Sequence, residues 1–165
     1  MSLKIISGGQ TGVDRAALDF ALTEKIAVGG WCPKGRRSDD GPISSHYPLR
    51  ETSSTDYRQR TRLNILESDG TLILHRGHLS GGTLLTVEWA IALKKDHQVV
   101  NMNRNADLVA IREWMEACQI ATLNVAGPRE SGNEGIYRQA LAFMRALFGR
   151  EAVWMMPEAC QSKKG

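Results

Sequence analysis

The amino-acid sequence predicts an α/β chain of three layers, with a doubly wound parallel sheet of about five strands between two sets of helices. Two observations carry that prediction. Short β-branched or leucine-rich runs alternate with longer stretches of helical periodicity, the pattern of strand–helix units stacked on a parallel sheet. Glycine-bearing turns follow the first, third and fifth runs, at the carboxyl ends where an open parallel sheet forms its ligand crevice. The length of 165 residues suits one domain over 1–165, and 42% hydrophobic with 24% charged residues is ordinary for a globular chain.

The first strand is expected over Leu3 to Ser7. The others are expected over Ala27 to Trp31, Thr71 to His75, Gln98 to Met102 and Thr122 to Ala126, mostly apolar as strands buried on both faces should be. Thr11 to Glu24 reads as a helix, with Thr11 and Asp14 in a capping-box-like start. A long loop from Cys32 to Thr55 follows the second strand, with Pro33, Gly35, Gly41, Pro42 and Pro48 and no clear period; such length usually marks function or disorder. A helix over about Asp56 to Glu67 puts Arg58 and Arg62 on one face. Thr83 to Lys95 ends in Lys94 and Lys95, whose charge suits the negative end of a helix dipole. Asp107 to Cys118 aligns Leu108, Ile111, Met115 and Cys118; Ile136 to Phe148 aligns Ile136, Ala140, Phe143 and Leu147, each a packing stripe. The tail after about Met156 is expected to fray.

Composition removes several function classes. No apolar run approaches the roughly 18 residues of a membrane span, and no secretory-type stretch opens the chain, so a cytoplasmic protein with no membrane partner is expected. Cys32, Cys118 and Cys160 are odd in number and widely spaced, as reduced thiols are. His75 and His78 stand three apart without a third ligand nearby, and no metal site is expected. The net charge of +3 resides in 34–62, where seven basic residues stand against four acidic ones. Tyr47 and Tyr57 are the only aromatics there, too few for the stacking that single-stranded nucleic acid needs, so nucleic acid is not expected as a partner.

Candidate chemistry sits in the glycine turns. Gly8, Gly9, Gln10, Thr11 and Gly12 lead into the first helix, where amides can approach a phosphate at the positive helix end; a tight turn needing positive dihedrals is the alternative. The string is neither the dinucleotide fingerprint nor a Walker loop. Gly81, Gly82 and Thr83 open the helix after the third strand, and Arg129 and Ser131 after the fifth offer further hydrogen bonds to an oxyanion. Lys34, Arg36 and Arg37 lie beside the crevice in this arrangement, to neutralise a phosphate or to form a solvated charge run. Glu88, on the first turns of the helix after the third strand, is the candidate catalytic residue under an enzymatic reading, a carboxylate to polarise a ribose hydroxyl or act as a base, or else a solvated helix residue. Cys32, at a strand end, reads as a buried structural thiol.

The strings GGQTGVDRAALD from Gly8, GWCPKGRRSDDGPI from Gly30, YPLRET from Tyr47, SDGTLIL from Ser68, SGGT from Ser80 and LNVAGPRES from Leu123 resemble the molybdenum cofactor carrier family. The resemblance spans about residues 3 to 149. It implies a Rossmann-like domain, kin to the Lonely Guy phosphoribohydrolases and the DNA-processing protein A domain, that binds molybdenum cofactor or a related phosphorylated pterin- or nucleotide-like ligand and forms homo-oligomers. The Lonely Guy frame implies one alternative, hydrolysis of a nucleoside 5′-monophosphate with Glu88 as the acid. Ser80 replaces its proline, and Leu84 and Leu85 replace its glycine and threonine. A nucleotide-sensing or DNA-associated regulatory module is the other alternative.

Overall fold

The computed structural model describes residues 2–149. The tail after about Met156, with Cys160, lies outside the described residues. In chain order the elements are β1 (Lys4–Ile6), α1 (Val13–Thr23), β2 (Ala27–Gly29), β3 (Trp31–Cys32), β4 (Arg50–Glu51), α2 (Tyr57–Leu66), β5 (Gly70–His75), α3 (Gly81–Ala92), β6 (Asp96–Asn101), α4 (Leu108–Ala117), β7 (Thr122–Ala126) and α5 (Ile136–Phe148). Five strands form one parallel sheet in the order β2-β1-β7-β5-β6, flanked by helices, which is the predicted Rossmann-like three-layer α/β fold.

Alternation along the strands sorts the two faces of the sheet. Ile5, Leu72, Leu74, Val100, Leu123 and Val125 join Phe20 of α1, Ile111 of α4 and Met144 of α5 in one apolar cluster. Each such side chain contributes about 2 kcal/mol by leaving water. Residues one step along, among them Ile6, Thr71, Ile73, His75 and Asn124, point to the opposite face, over which α3 packs with α2 beside it. Thr71, His75 and Asn124 are buried polar groups on that face, so its packing is not purely apolar.

The Ala27 to Trp31 run divides. Ala27–Gly29 pairs with β1, then Gly30, at φ 125, redirects the chain so that Trp31–Cys32 pairs with Arg50–Glu51 in a separate two-stranded parallel sheet. The long loop is therefore tied at both ends. Asn64 of α2 clamps its start, accepting from Trp31 N at 2.8 Å and donating to Trp31 O at 3.0 Å.

Helices α2 and α4 begin as side-chain capping requires: Asp56 Oδ1 accepts from Arg58 N and Asp107 Oδ1 from Ala110 N, each at 2.9 Å. The capping box expected at Thr11 and Asp14 does not form. The N-cap is Gly12, at φ 81, and the first helical amide, Val13 N, donates to Pro128 O at 3.1 Å. Thr11 Oγ1 accepts from Glu130 N at 3.3 Å instead, and Asp14 Oδ2 from Gln10 N at 3.3 Å. The turn after β7 thus does the work of the cap, and it approaches too closely for a side chain: a Cβ on Gly12 would lie 2.4 Å from Pro128 O.

Gly12→Ala should lower stability by about 2–4 kcal/mol, from a strained dihedral and a clash with backbone. Gly41→Ala, also at positive φ but with nothing within 4 Å of its Cβ, should cost only about 1 kcal/mol. Urea denaturation of both variants measures the difference, and equal losses would contradict this account of the turn.

Candidate functional site

Beyond the carboxyl ends of β1, β5 and β7, a cleft of about 530 Å³ opens between the sheet and the α2–α3 pair. Its shape follows from two local facts. The buried polar residues His75 and Asn124 line its floor where an apolar face would have closed against the helices. Gly81 and Gly82 also line it, and a Cβ on either would meet nothing within 4 Å, so the start of α3 stands clear.

That start has the makings of an anion seat. Among the described residues no side chain caps α3, since Ser80 at the N-cap makes no such hydrogen bond. The first-turn amides and the positive helix end therefore face the cleft without a side-chain acceptor. Arg58, Arg60, Arg76 and Arg129 line the same cleft, against the carboxylates of Asp14 and Asp56.

The arginines differ in how they are held. Arg58 Nη2 pairs with Asp56 Oδ2 at 2.7 Å and Arg129 Nη1 with Asp39 Oδ2 at 3.2 Å. Arg60 Nη1 donates to Gly8 O at 2.7 Å and stands 3.4 Å from the buried Asp14 Oδ2. Burial pushes the Asp14 carboxyl above its ordinary range, against the pull of Arg60. Arg76 donates to Glu134 O, a neutral carbonyl, at 2.6 Å and has no carboxylate partner among the described residues. Its charge is the one a ligand would find uncompensated.

The glycine turn after β1 is built differently from the expected phosphate loop. A Cβ on Gly8 would strike the Arg60 guanidinium, and one on Gly9 would strike Leu49 and Ile43. These glycines allow Arg60 and the long loop to pack against the chain. Of the residues singled out from sequence, Gly8, Gln10, Gly81, Gly82, Thr83 and Arg129 line the cleft. Gly9, Thr11, Gly12, Lys34, Arg37 and Ser131 do not. Thr11, Gly12 and Ser131 line a shallower depression of about 560 Å³ beside Arg15 and Asp19. Lys34, Arg37 and Glu88 are exposed, and Glu88 is absent from both linings. Arg36 is held inside its own loop, donating to the carbonyls of Ile43, Ser44, Tyr47 and Leu49.

Asp14, Arg60, Arg76, His75 and Asn124 also line the cleft and are not among the candidates singled out from sequence. The available signal was the polar side chains that share one face of otherwise apolar strands, Thr71 and His75 on β5 and Asn124 on β7. Cys32 is buried and its thiol is pushed up by burial, in keeping with a structural role. Among the described residues no group of three or more His, Cys, Asp or Glu side chains is arranged to hold a metal ion, and no helix is long and apolar enough to cross a membrane.

Residues 5–148 match the circularly permutated YpsA SLOG family. The fold is also similar to the crystal structure of a protein from Syntrophus aciditrophicus SB named as a molybdenum carrier, with 41% identity, a TM-score of 0.87, and coverage of 89% of this chain and 95% of that one. None of the curated proteins matches.

Arg60→Met should lower stability by about 3 kcal/mol at neutral pH, because Asp14 is left buried without its cation. The sign with pH follows from burial raising the folded-state pKa of Asp14: ionised Asp14 destabilises the fold, and the penalty fades as pH falls through that raised value. The deficit of the variant should therefore shrink between about pH 8 and about pH 5 in urea denaturation. An equal deficit at both would assign the loss to the Gly8 contact instead.

Proposed function

The chain belongs to the circularly permutated YpsA SLOG family, and from that premise we propose that it is a binding or carrier protein for molybdenum cofactor or a related phosphorylated pterin- or nucleotide-like ligand. The observation that carries the reading is the uncapped, glycine-opened start of α3 facing an arginine-lined cleft. Amides at a helix start and guanidinium forks both suit a phosphate. The volume, about 530 Å³, lies within the range of small-ligand sites. Farther in, Asn124 offers an amide group and Asp14 a carboxylate, a donor and acceptors of the kind that the edge of a pterin or purine ring pairs with. Among the described residues no cysteine lines the cleft. The relative named as a molybdenum carrier supports this choice of cargo.

No specific observation favours the hydrolase reading, since Glu88 is exposed and outside the cleft lining. A single domain over 1–165 and a cytoplasmic setting complete the proposal. So does assembly with further copies of the chain, for which α3 offers Leu84 and Ile91, 38% and 60% exposed.

Native mass spectrometry of the purified chain and titration with guanosine 5′-monophosphate and molybdenum cofactor test the proposal. Arg76→Ala should weaken binding about tenfold, the loss of one charge-assisted hydrogen bond, while Lys34→Ala should change it less than about twofold. Failure of the wild-type chain to bind any phosphorylated heterocycle would overturn the reading.

A further inference from the structure

His75 is the last residue of β5 and, among the described residues, one of the few buried titratable groups, 8% exposed. Its ring lies on the α2–α3 side of the sheet, the side of Thr71 and Ile73, and it lines the cleft together with Ser80, Gly81, Gly82 and Thr83. The two ring nitrogens differ. Nδ1 is enclosed and has no hydrogen-bond partner, which leaves Nε2 as the nitrogen with which this cleft-lining residue can meet a ligand. A core histidine normally has both nitrogens satisfied or exchanged for an apolar residue, because an unpaired buried polar atom is costly.

The surroundings explain why the ring lacks a counter-charge. Asp14 faces the cleft from α1, but it is engaged with Arg60 of α2. Asp56 at the start of α2 is engaged with Arg58. Arg76 and the exposed His78 follow in the same turn as His75, and Arg129 enters from the turn after β7. From β6, Asn101 stands opposite His75 in register; Asn124 on β7 and Thr83 and Thr86 on α3 are likewise uncharged. No carboxylate contacts the imidazole among the described residues. Burial therefore pushes its pKa down, against a smaller opposing contribution from the Gly77 backbone, and favours the neutral ring. A phosphate seated at the start of α3 would supply the missing negative charge.

We propose that His75 is a ligand-contacting residue whose Nε2 meets the anion held at the start of α3, and that the cleft binds a phosphomonoester together with one proton. The proton comes from solvent and is taken by the Nε2 lone pair; no bond of the ligand breaks. This deepens the binding reading above and rests on it.

Sulfate is the discriminating probe, because it does not titrate near neutral pH and any pH dependence then belongs to the protein. Calorimetry of the full chain, in buffers of different ionisation enthalpy, should show about half a proton taken up per sulfate near pH 6, the most that a shift of roughly one unit allows. Affinity should rise about tenfold between pH 7.5 and pH 5.5, the effect of roughly one unit of pKa shift on binding. His75→Asn should keep binding at pH 7.5 within about threefold and lose both the pH dependence and the proton uptake. The imidazole resonance of His75 in the wild-type chain should titrate at higher pH with sulfate than without, a readout that needs no variant to fold. The same pH dependence in His75→Asn, or sulfate binding by wild type without proton uptake, would overturn the role of His75 and leave the cleft reading in place. Absence of wild-type binding to both sulfate and guanosine 5′-monophosphate would remove the two together.

Discussion

A parallel sheet must bury both faces, yet this one seals only one of them with apolar side chains. On the α1–α4–α5 side, Ile5, Leu72, Leu74, Leu123 and Val125 close against the helices in one apolar cluster. On the α2–α3 side, the same strands present Thr71, His75 and Asn124, which cannot be left dry and unpaired without cost. Asn124 Nδ2 reaches Thr71 Oγ1 at 3.3 Å; His75 finds no such neighbour. The helices on this side cannot collapse onto a continuous apolar floor, and the cleft is the consequence. The clear start of α3, the arginines around it and the enclosed imidazole all depend on that asymmetry.

The strand order brings the site together. With β7 between β1 and β5, the turns after these three strands stand side by side at one end of the sheet. Each contributes something different. The turn after β5 gives open amides, the turn after β7 gives Arg129, and the turn after β1 gives a tightly packed support. Gln10 joins this support to the basic loop, accepting from Asp39 N at 2.9 Å, and Asp39 in turn holds Arg129. The cleft and the loop are thus linked through one carboxylate.

The fold was legible because buried parallel strands and amphipathic helices leave strong periodic marks. Thr122 to Ala126 and Ile136 to Phe148 are found at the expected boundaries. The division at Gly30 was not legible, since an apolar run carries no sign of which sheet its second half joins. The site was half legible for the same kind of reason. Glycine marks where backbone comes close to something, but not whether that something is a ligand or the protein itself. Gly81 and Gly82 face open space, while Gly9 and Gly12 face Leu49 and Pro128. Glu88 kept its spacing relative to those glycines, yet the helix turns it to solvent.

Charge along the chain misled in a similar way. The stretch 34–62 holds the whole net charge, but most of its cations serve the protein. Arg36 gathers four backbone carbonyls, and Arg50 lies over the Trp31 ring, 4.1 Å from its centre, while it pairs with Glu67. Arg15, outside the stretch, belongs to the same scaffold: it holds Gly9 O at 3.0 Å and pairs with Asp40 at 3.1 Å. Tyr47 and Tyr137 both donate to Asp19, fixing the loop to α1 and α5. A cation already answered by a carboxylate adds little field at a distance, because the pair is a dipole rather than a charge. The potential a ligand meets in the cleft is therefore set less by how many arginines line it than by which one lacks an acid. That residue is Arg76, which lies in the turn leading from His75 to the uncapped start of α3.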